Sequence, residues 1–116
     1  NCITSYYSDA RLKNFTGTID NALDKVMALN GYYFTVNDRA KELGYTDESQ
    51  QVGISAQEVE AVLPEVVTDA AINSNIPEDQ ERDYKTVHYD RMVPLLIEAI
   101  KEQQKQIDEL KAKLGE

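Results

Sequence analysis

Apolar positions along this chain fall into short blocks that switch between helical and strand periods, and only the last block is long. Residues 18–29 place Ile19, Leu23, Val26 and Leu29 at helical spacing, and Asn30-Gly31 ends the run, which predicts a first helix. Residues 32–36, YYFTV, are β-branched and aromatic and predict a strand. The polar stretch 37–51 reads as an excursion with room for one helical turn. VGI at 52–54 predicts a short buried strand. Ser55-Ala56-Gln57-Glu58 has the form of a capping box, in which Ser55 accepts from the Glu58 amide and Glu58 returns to the Ser55 amide. The helix it opens runs to Leu63, where Pro64 stops it, and EVVT at 65–68 predicts another strand. Residues 69–83 hold no period and predict an exposed acidic loop, whereas YKTVHY at 84–89 alternates like a strand.

Asp90 is placed to cap a helix that runs to the end, with Pro94 in the first turn, where a missing amide costs little. From Val93 this helix carries a heptad, with Val93, Ile100, Ile107 and Leu114 at a and Leu96, Gln103 and Leu110 at d. Up to Ile100 the additional Leu95, Ile97 and Ala99 widen the apolar surface and predict packing on the domain itself. Beyond Gln103 only the narrow seam remains, flanked by mixed charge, which predicts a coiled coil. Isoleucine at two a positions permits three strands without excluding two. The expected fold class is α+β: a small mixed domain of short strands and helices, ending in a long C-terminal coiled-coil helix. Its candidate core is Ile19, Leu23, Val26, Val59, Val62, Leu95 and Leu96.

A length of 116 residues suits one domain, small enough that oligomerisation helps. The net charge of −9 is concentrated in residues 38–90, where 13 acids face only Arg39, Lys41, Arg82 and Lys85. No basic stripe exists, so nucleic acid is not an expected partner. No apolar run reaches membrane-spanning length and no signal peptide is visible, so no membrane association is expected. Asn1 is not an initiator, which suggests a piece of a longer chain. A single cysteine, Cys2, excludes an internal disulfide, and with one histidine it offers no zinc-ligand set. With no phosphate-binding loop either, neither metal nor cofactor is expected. His88, in an alternating strand with Tyr84 and Thr86, reads as a structural hydrogen-bonded residue. The seven tyrosines read as scattered half-buried side chains rather than a sugar-stacking surface.

The chemistry-bearing stretch is YYSDARLKNF at 6–15, with Ser8 five residues before Lys13 and Asp9 and Arg11 between them. These four residues fit a helix cap with surface charges, and they fit equally a nucleophile with its base. SDARLK, a helix ending in L-x-G-Y-x-F, VGISAQEVEAVLPEVV and YKTVHYDRMVPLLIEAIKEQQKQIDEL follow one another in that order. Together, over about residues 8–112, they resemble the intramolecular chaperone auto-processing domain at the C-terminus of phage endosialidases, tailspikes and tail fibres.

The resemblance implies a homotrimer that helps an upstream fibre domain of the same chain to fold and then cuts itself off. It puts the nucleophile at Ser8, the general base at Lys13, supporting roles at Asp9 and Arg11, and the scissile bond at Tyr7-Ser8. Where the family has an acid after the lysine, this chain passes directly to Asn14-Phe15. The sequence does not identify the oxyanion stabiliser the reaction also needs; Gln57, beside the capping box, is one candidate. Residues 1–7 would end the upstream fibre, 8–90 form the auto-processing core, and 91–116 form the coiled-coil helix. The protein would then belong to a virion tail-fibre or tailspike precursor, assembled in the host cytoplasm and losing this domain on cleavage. Segments 37–51 and 69–83 fit either arms around the fibre or plain solvated loops. Two other readings stay open: a trimeric clamp that never cuts, and a receptor- or glycan-binding tip.

A serine attacks only when something takes its proton, and lysine does so only when neutral. At an ordinary pKa of about 10.4, about one lysine in a few thousand is neutral at pH 7. Burial of the amine raises that fraction. Trimer assembly is the expected source of such burial, so the cut would wait for assembly.

Overall fold

A computed structural model describes residues 8–115. Tyr7, one side of the expected scissile bond, lies outside the described residues, as do Cys2 and Glu116. Among the described residues the chain forms four α-helices, four short strands and several 3₁₀ turns. The α+β class with a long final helix is what the structure has.

Helix α1 spans Ala22–Met27, shorter than the periodicity of 18–29 suggested. Asn21 takes a left-handed conformation with φ 49° and offers no side-chain cap, so the helix starts only after it. Ile19 and Leu29 flank it and pack, partly buried, on the core. The cap comes from elsewhere: the Leu23 amide donates to the Glu102 carboxylate at 2.6 Å. A carboxylate at the positive end of α1 satisfies an orphan donor and complements the helix dipole.

Strand β1 (Tyr32–Phe34) pairs antiparallel with β2 (Gln51–Gly53), Tyr33 lying opposite Val52. The strand stops two residues earlier than YYFTV suggested. The expectation of a buried VGI strand is also corrected, because Tyr33 and Val52 form an exposed cross-strand pair. The opposite face turns inward at Gly53. A Cβ there would meet the Phe34 ring at 3.0 Å and the Tyr89 hydroxyl at 3.3 Å, so no side chain fits without a shift. The intervening excursion contains α2 (Asp38–Glu42), whose Ala40 amide donates to Asn37 Oδ1 at 2.9 Å.

Helix α3 spans Ala56–Val62, and Ser55 Oγ accepts from the Glu58 amide as the capping box requires. Glu58 does not complete the box. Its carboxylate accepts instead from the Tyr32 hydroxyl and from Asn30 Nδ2, tying α3 to β1. Pro64–Val66 form a 3₁₀ turn, so β3 begins only at Val67 and runs to Asp69, antiparallel to β4 (Lys85–Val87). The segment between them is less loose than its composition suggested. It holds a 3₁₀ turn at Ala71–Asn75, and Ile76 is buried. The Asn73 amide bonds both the N–H and the C=O of Tyr84 at 2.8 Å, standing in for a strand partner. Arg39 then joins the two acidic excursions, donating to the Tyr84 hydroxyl at 3.0 Å and the Glu81 carbonyl at 2.7 Å. His88 is hydrogen-bonded, its N–H to the Val66 carbonyl at 2.9 Å and its ring Nε2 to Thr68 Oγ1 at 3.1 Å.

Asp90 lies inside a 3₁₀ turn at Tyr89–Met92 and is not the cap of the last helix. Helix α4 runs from Val93 to Leu114, 22 residues or about 33 Å at the usual rise. It presents two apolar faces. Leu95 and Ala99 enter the core with Ala22, Val59, Leu63, Val66 and Met92. Leu95 and Val59 are the fully buried members. Leu96, expected in this core, lies on the other face with Val93, Ile97 and Ile100, all substantially exposed; Leu23 is only partly buried. From Gln103 to Leu114 every residue of α4 is exposed, so the second half of the helix runs beyond its own domain.

Candidate active site

A single 3₁₀ turn at Ala10–Leu12 builds the serine–lysine pair. Asp9 caps it, with Oδ1 accepting from the Arg11 amide at 2.9 Å. The Leu12 amide then donates to the Asp9 carbonyl at 3.0 Å and the Lys13 amide to the Ala10 carbonyl at 3.2 Å. The Arg11 guanidinium closes back on the same carboxylate, Nε to Oδ1 at 3.0 Å and Nη2 to Oδ2 at 2.8 Å. Those Arg11 bonds hold the Asp9 carboxyl below the usual carboxylate range, and the carboxylate in turn raises the guanidinium.

The outcome is a Lys13 Nζ to Ser8 Oγ distance of 2.8 Å. In an extended chain two residues five apart stand about 17 Å from each other, so the turn is what brings them together. An ammonium donates to the hydroxyl at this distance, and a neutral amine accepts the hydroxyl proton at the same distance. Ser8 is exposed and Lys13 half-buried. The flanking Leu12 and Phe15 are exposed large apolar side chains, an arrangement water alone does not favour.

The other sequence candidates sit elsewhere. Gln57 is exposed on the first turn of α3, and among the described residues its side chain makes no hydrogen bond, so it is not joined to the pair in a single chain. The seam residues Val93, Leu96, Ile100, Ile107, Leu110 and Leu114 are between 41% and 85% exposed, and Gln103 is exposed with them. Leu96 also walls an apolar cleft of about 350 Å³ with Val26, Leu29, Ile54, Tyr89 and Met92. A helix packed on the seam therefore borders that cleft. Sequence reasoning missed Glu102 as the α1 cap and Arg39 as the bond between excursions. Neither carries a local signal, since their partners lie far along the chain.

Residues 8–68 match a peptidase family described as chaperone of endosialidase. Over 109 residues the chain is 33% identical to the long tail fiber protein Gp37 of Salmonella phage S16, covering 94% of this chain and 14% of that protein. Over 107 residues it is 36% identical to Gp37 of Enterobacteria phage K3, covering 92% of this chain and 8% of that protein. The same identity and length hold for Gp37 of Enterobacteria phage T2, of which 7% is covered. The chain thus spans a small fraction of the length of the relatives it matches.

Proposed function

Because this chain belongs to the chaperone-of-endosialidase family, we propose that it is the C-terminal folding module of a phage tail-fibre protein, trimerising through α4 and then releasing itself at Tyr7-Ser8. The observation that carries the chemical half is Lys13 Nζ at 2.8 Å from Ser8 Oγ. The family match also begins at Ser8. In this reading residues 1–7 belong to the fibre side, and 91–116 supply the coiled coil.

Ser8 Oγ adds to the Tyr7 carbonyl carbon through a five-membered ring while Lys13 Nζ takes the hydroxyl proton. Attack on its own carbonyl would require a strained four-membered ring. Collapse breaks the Tyr7–Ser8 C–N bond, and the Lys13 ammonium returns the proton to the Ser8 nitrogen. Tyr7 is left as an ester on Oγ. Water hydrolyses it, freeing the Tyr7 carboxylate and restoring the hydroxyl. A donor for the tetrahedral oxyanion is also required, and Gln57 reaches it only if assembly carries one chain's α3 to the pair.

Assembly supplies the switch. Neighbouring copies on the seam bury Lys13 between Leu12 and Phe15, and a desolvated amine gives up its proton more readily. The freed fibre has lost its folding helper, which makes its stability kinetic. Intact-mass measurement tests the reading: the wild-type chain in its parent fibre yields a fragment beginning at Ser8, and Ser8→Ala stays full-length and trimeric. A full-length wild-type trimer would instead mark a clamp that never cuts.

A further inference from the structure

We propose that Asp9 and Arg11 are positioning residues: their clip shapes the Ala10–Leu12 turn, so the serine–lysine pair is assembled within each chain before any other copy arrives. The proposal rests on reading Ser8 and Lys13 as nucleophile and base.

Three bonds converge on one carboxylate from one residue, the Arg11 amide, Nε and Nη2. The first is the cap of the turn, and the other two close a planar fork on both oxygens, a geometry that fixes orientation as well as distance. The turn has no buried residue, so core packing does not hold its shape. A short 3₁₀ turn is intrinsically weak. Its two backbone bonds start at Asp9 and Ala10, directly behind the clip. The clip also neutralises itself. A lone guanidinium near the amine would favour the neutral base by charge alone, and the Asp9 carboxylate cancels that field. The contribution of the clip is therefore one of distance.

The test uses two independent readouts. In the 116-residue chain, the nuclear Overhauser contact between Ser8 Hβ and Lys13 Hε reports the pair directly. It is expected strong in wild type, weaker in Arg11→Met and Asp9→Asn, and absent in Asp9→Ala. Asp9→Asn keeps an oxygen for the Arg11 amide but cannot accept from both guanidinium nitrogens, so it serves as the partial rescue. Circular dichroism of each variant should be unchanged, since the turn lies outside the core. In the parent fibre, the cleavage rate at its high-pH plateau falls in the same order, at least tenfold for Asp9→Ala, while the pH of half-maximal rate stays put. An undiminished contact in Asp9→Ala overturns the proposal. So does a displaced half-maximal pH at an unchanged plateau, which would mean that charge rather than geometry is at work. If wild type does not cut but the contact series holds, the positioning stands and the cleavage reading alone fails.

Discussion

Replacing Ile107 and Leu110 together by aspartate separates assembly from folding. Both side chains lie in the half of α4 where every residue is exposed, so the single-chain core of Ala22, Val59, Leu95 and their neighbours does not touch them. In one chain they leave 41% and 59% of their surface open. Burial of a whole such side chain is worth about 1.5–3 kcal/mol, so covering the open part gives about 1.5–3 kcal/mol for the pair in each protomer. Three protomers gain about 5–9 kcal/mol, which weakens association at least a thousandfold when lost. Aspartate goes further, since it brings six carboxylates toward one axis, opposed by both desolvation and mutual repulsion. Sedimentation equilibrium should find a wild-type trimer and a variant monomer at the same micromolar concentration, with the far-ultraviolet signature of the domain largely kept. A wild-type chain that sediments as monomer or dimer refutes the seam argument. So does a double variant that remains trimeric.

Three further outcomes follow from the geometry. Leu95→Ala empties a fully buried position between α4 and the core, and should cost about 2–5 kcal/mol in urea-monitored unfolding. The Ser8–Lys13 contact should survive acidification through pH 4: Asp9 is depressed by its Arg11 bonds, so its contribution is present above the ordinary carboxylate pKa and disappears as pH falls through the lower folded value. NMR titration checks this, and loss of the contact above pH 4 contradicts it. Lys13→Arg should abolish cutting in the parent fibre without disturbing the trimer, because guanidinium stays charged.

Features with a local cause were legible in the sequence. Ser55 caps α3 because its hydroxyl finds an amide three residues on, and Pro94 sits in the first turn of α4 because no amide is needed there. The heptad from Val93 was visible as a spacing, and the exposure of its members follows from that spacing. Features decided across the chain were not legible. Glu58 satisfies the capping-box pattern, yet its carboxylate serves Tyr32 of β1 and Asn30 just before that strand. The start of α1 was misplaced because Glu102, 79 positions away, supplies its cap while Asn21 turns left-handed. Likewise, nothing in residues 69–83 signals that Arg39, 42 positions before Glu81, pins that segment. At the candidate site the spacing of Ser8 and Lys13 left two readings open, cap or dyad. In the structure Asp9 supplies the cap, its carboxylate accepting from the Arg11 amide, while Ser8 Oγ lies 2.8 Å from Lys13 Nζ, a geometry that fits either reading.

The two faces of α4 explain how one helix can serve stability and assembly without conflict. Leu95, Ala99 and Glu102 recur at intervals of four and three and point at α1, the first two into the core and the third onto the α1 amide. Val93, Leu96 and Ile100 recur at three and four as well, but offset, so they open away from that core. A substitution at Leu95 or Ala99 thus perturbs the single chain, whereas one at Val93 or Ile100 falls on the exposed face; Leu96, which also walls the cleft with Val26 and Met92, belongs partly to both. The offset sets also fix an order of events on the proposed reading. Core packing settles α1 and α4 first, because it needs one chain. Docking of the seam follows at a rate that depends on concentration. Burial of Lys13, and with it the cut, comes last. A fibre whose strands had not yet met would then keep its folding module attached.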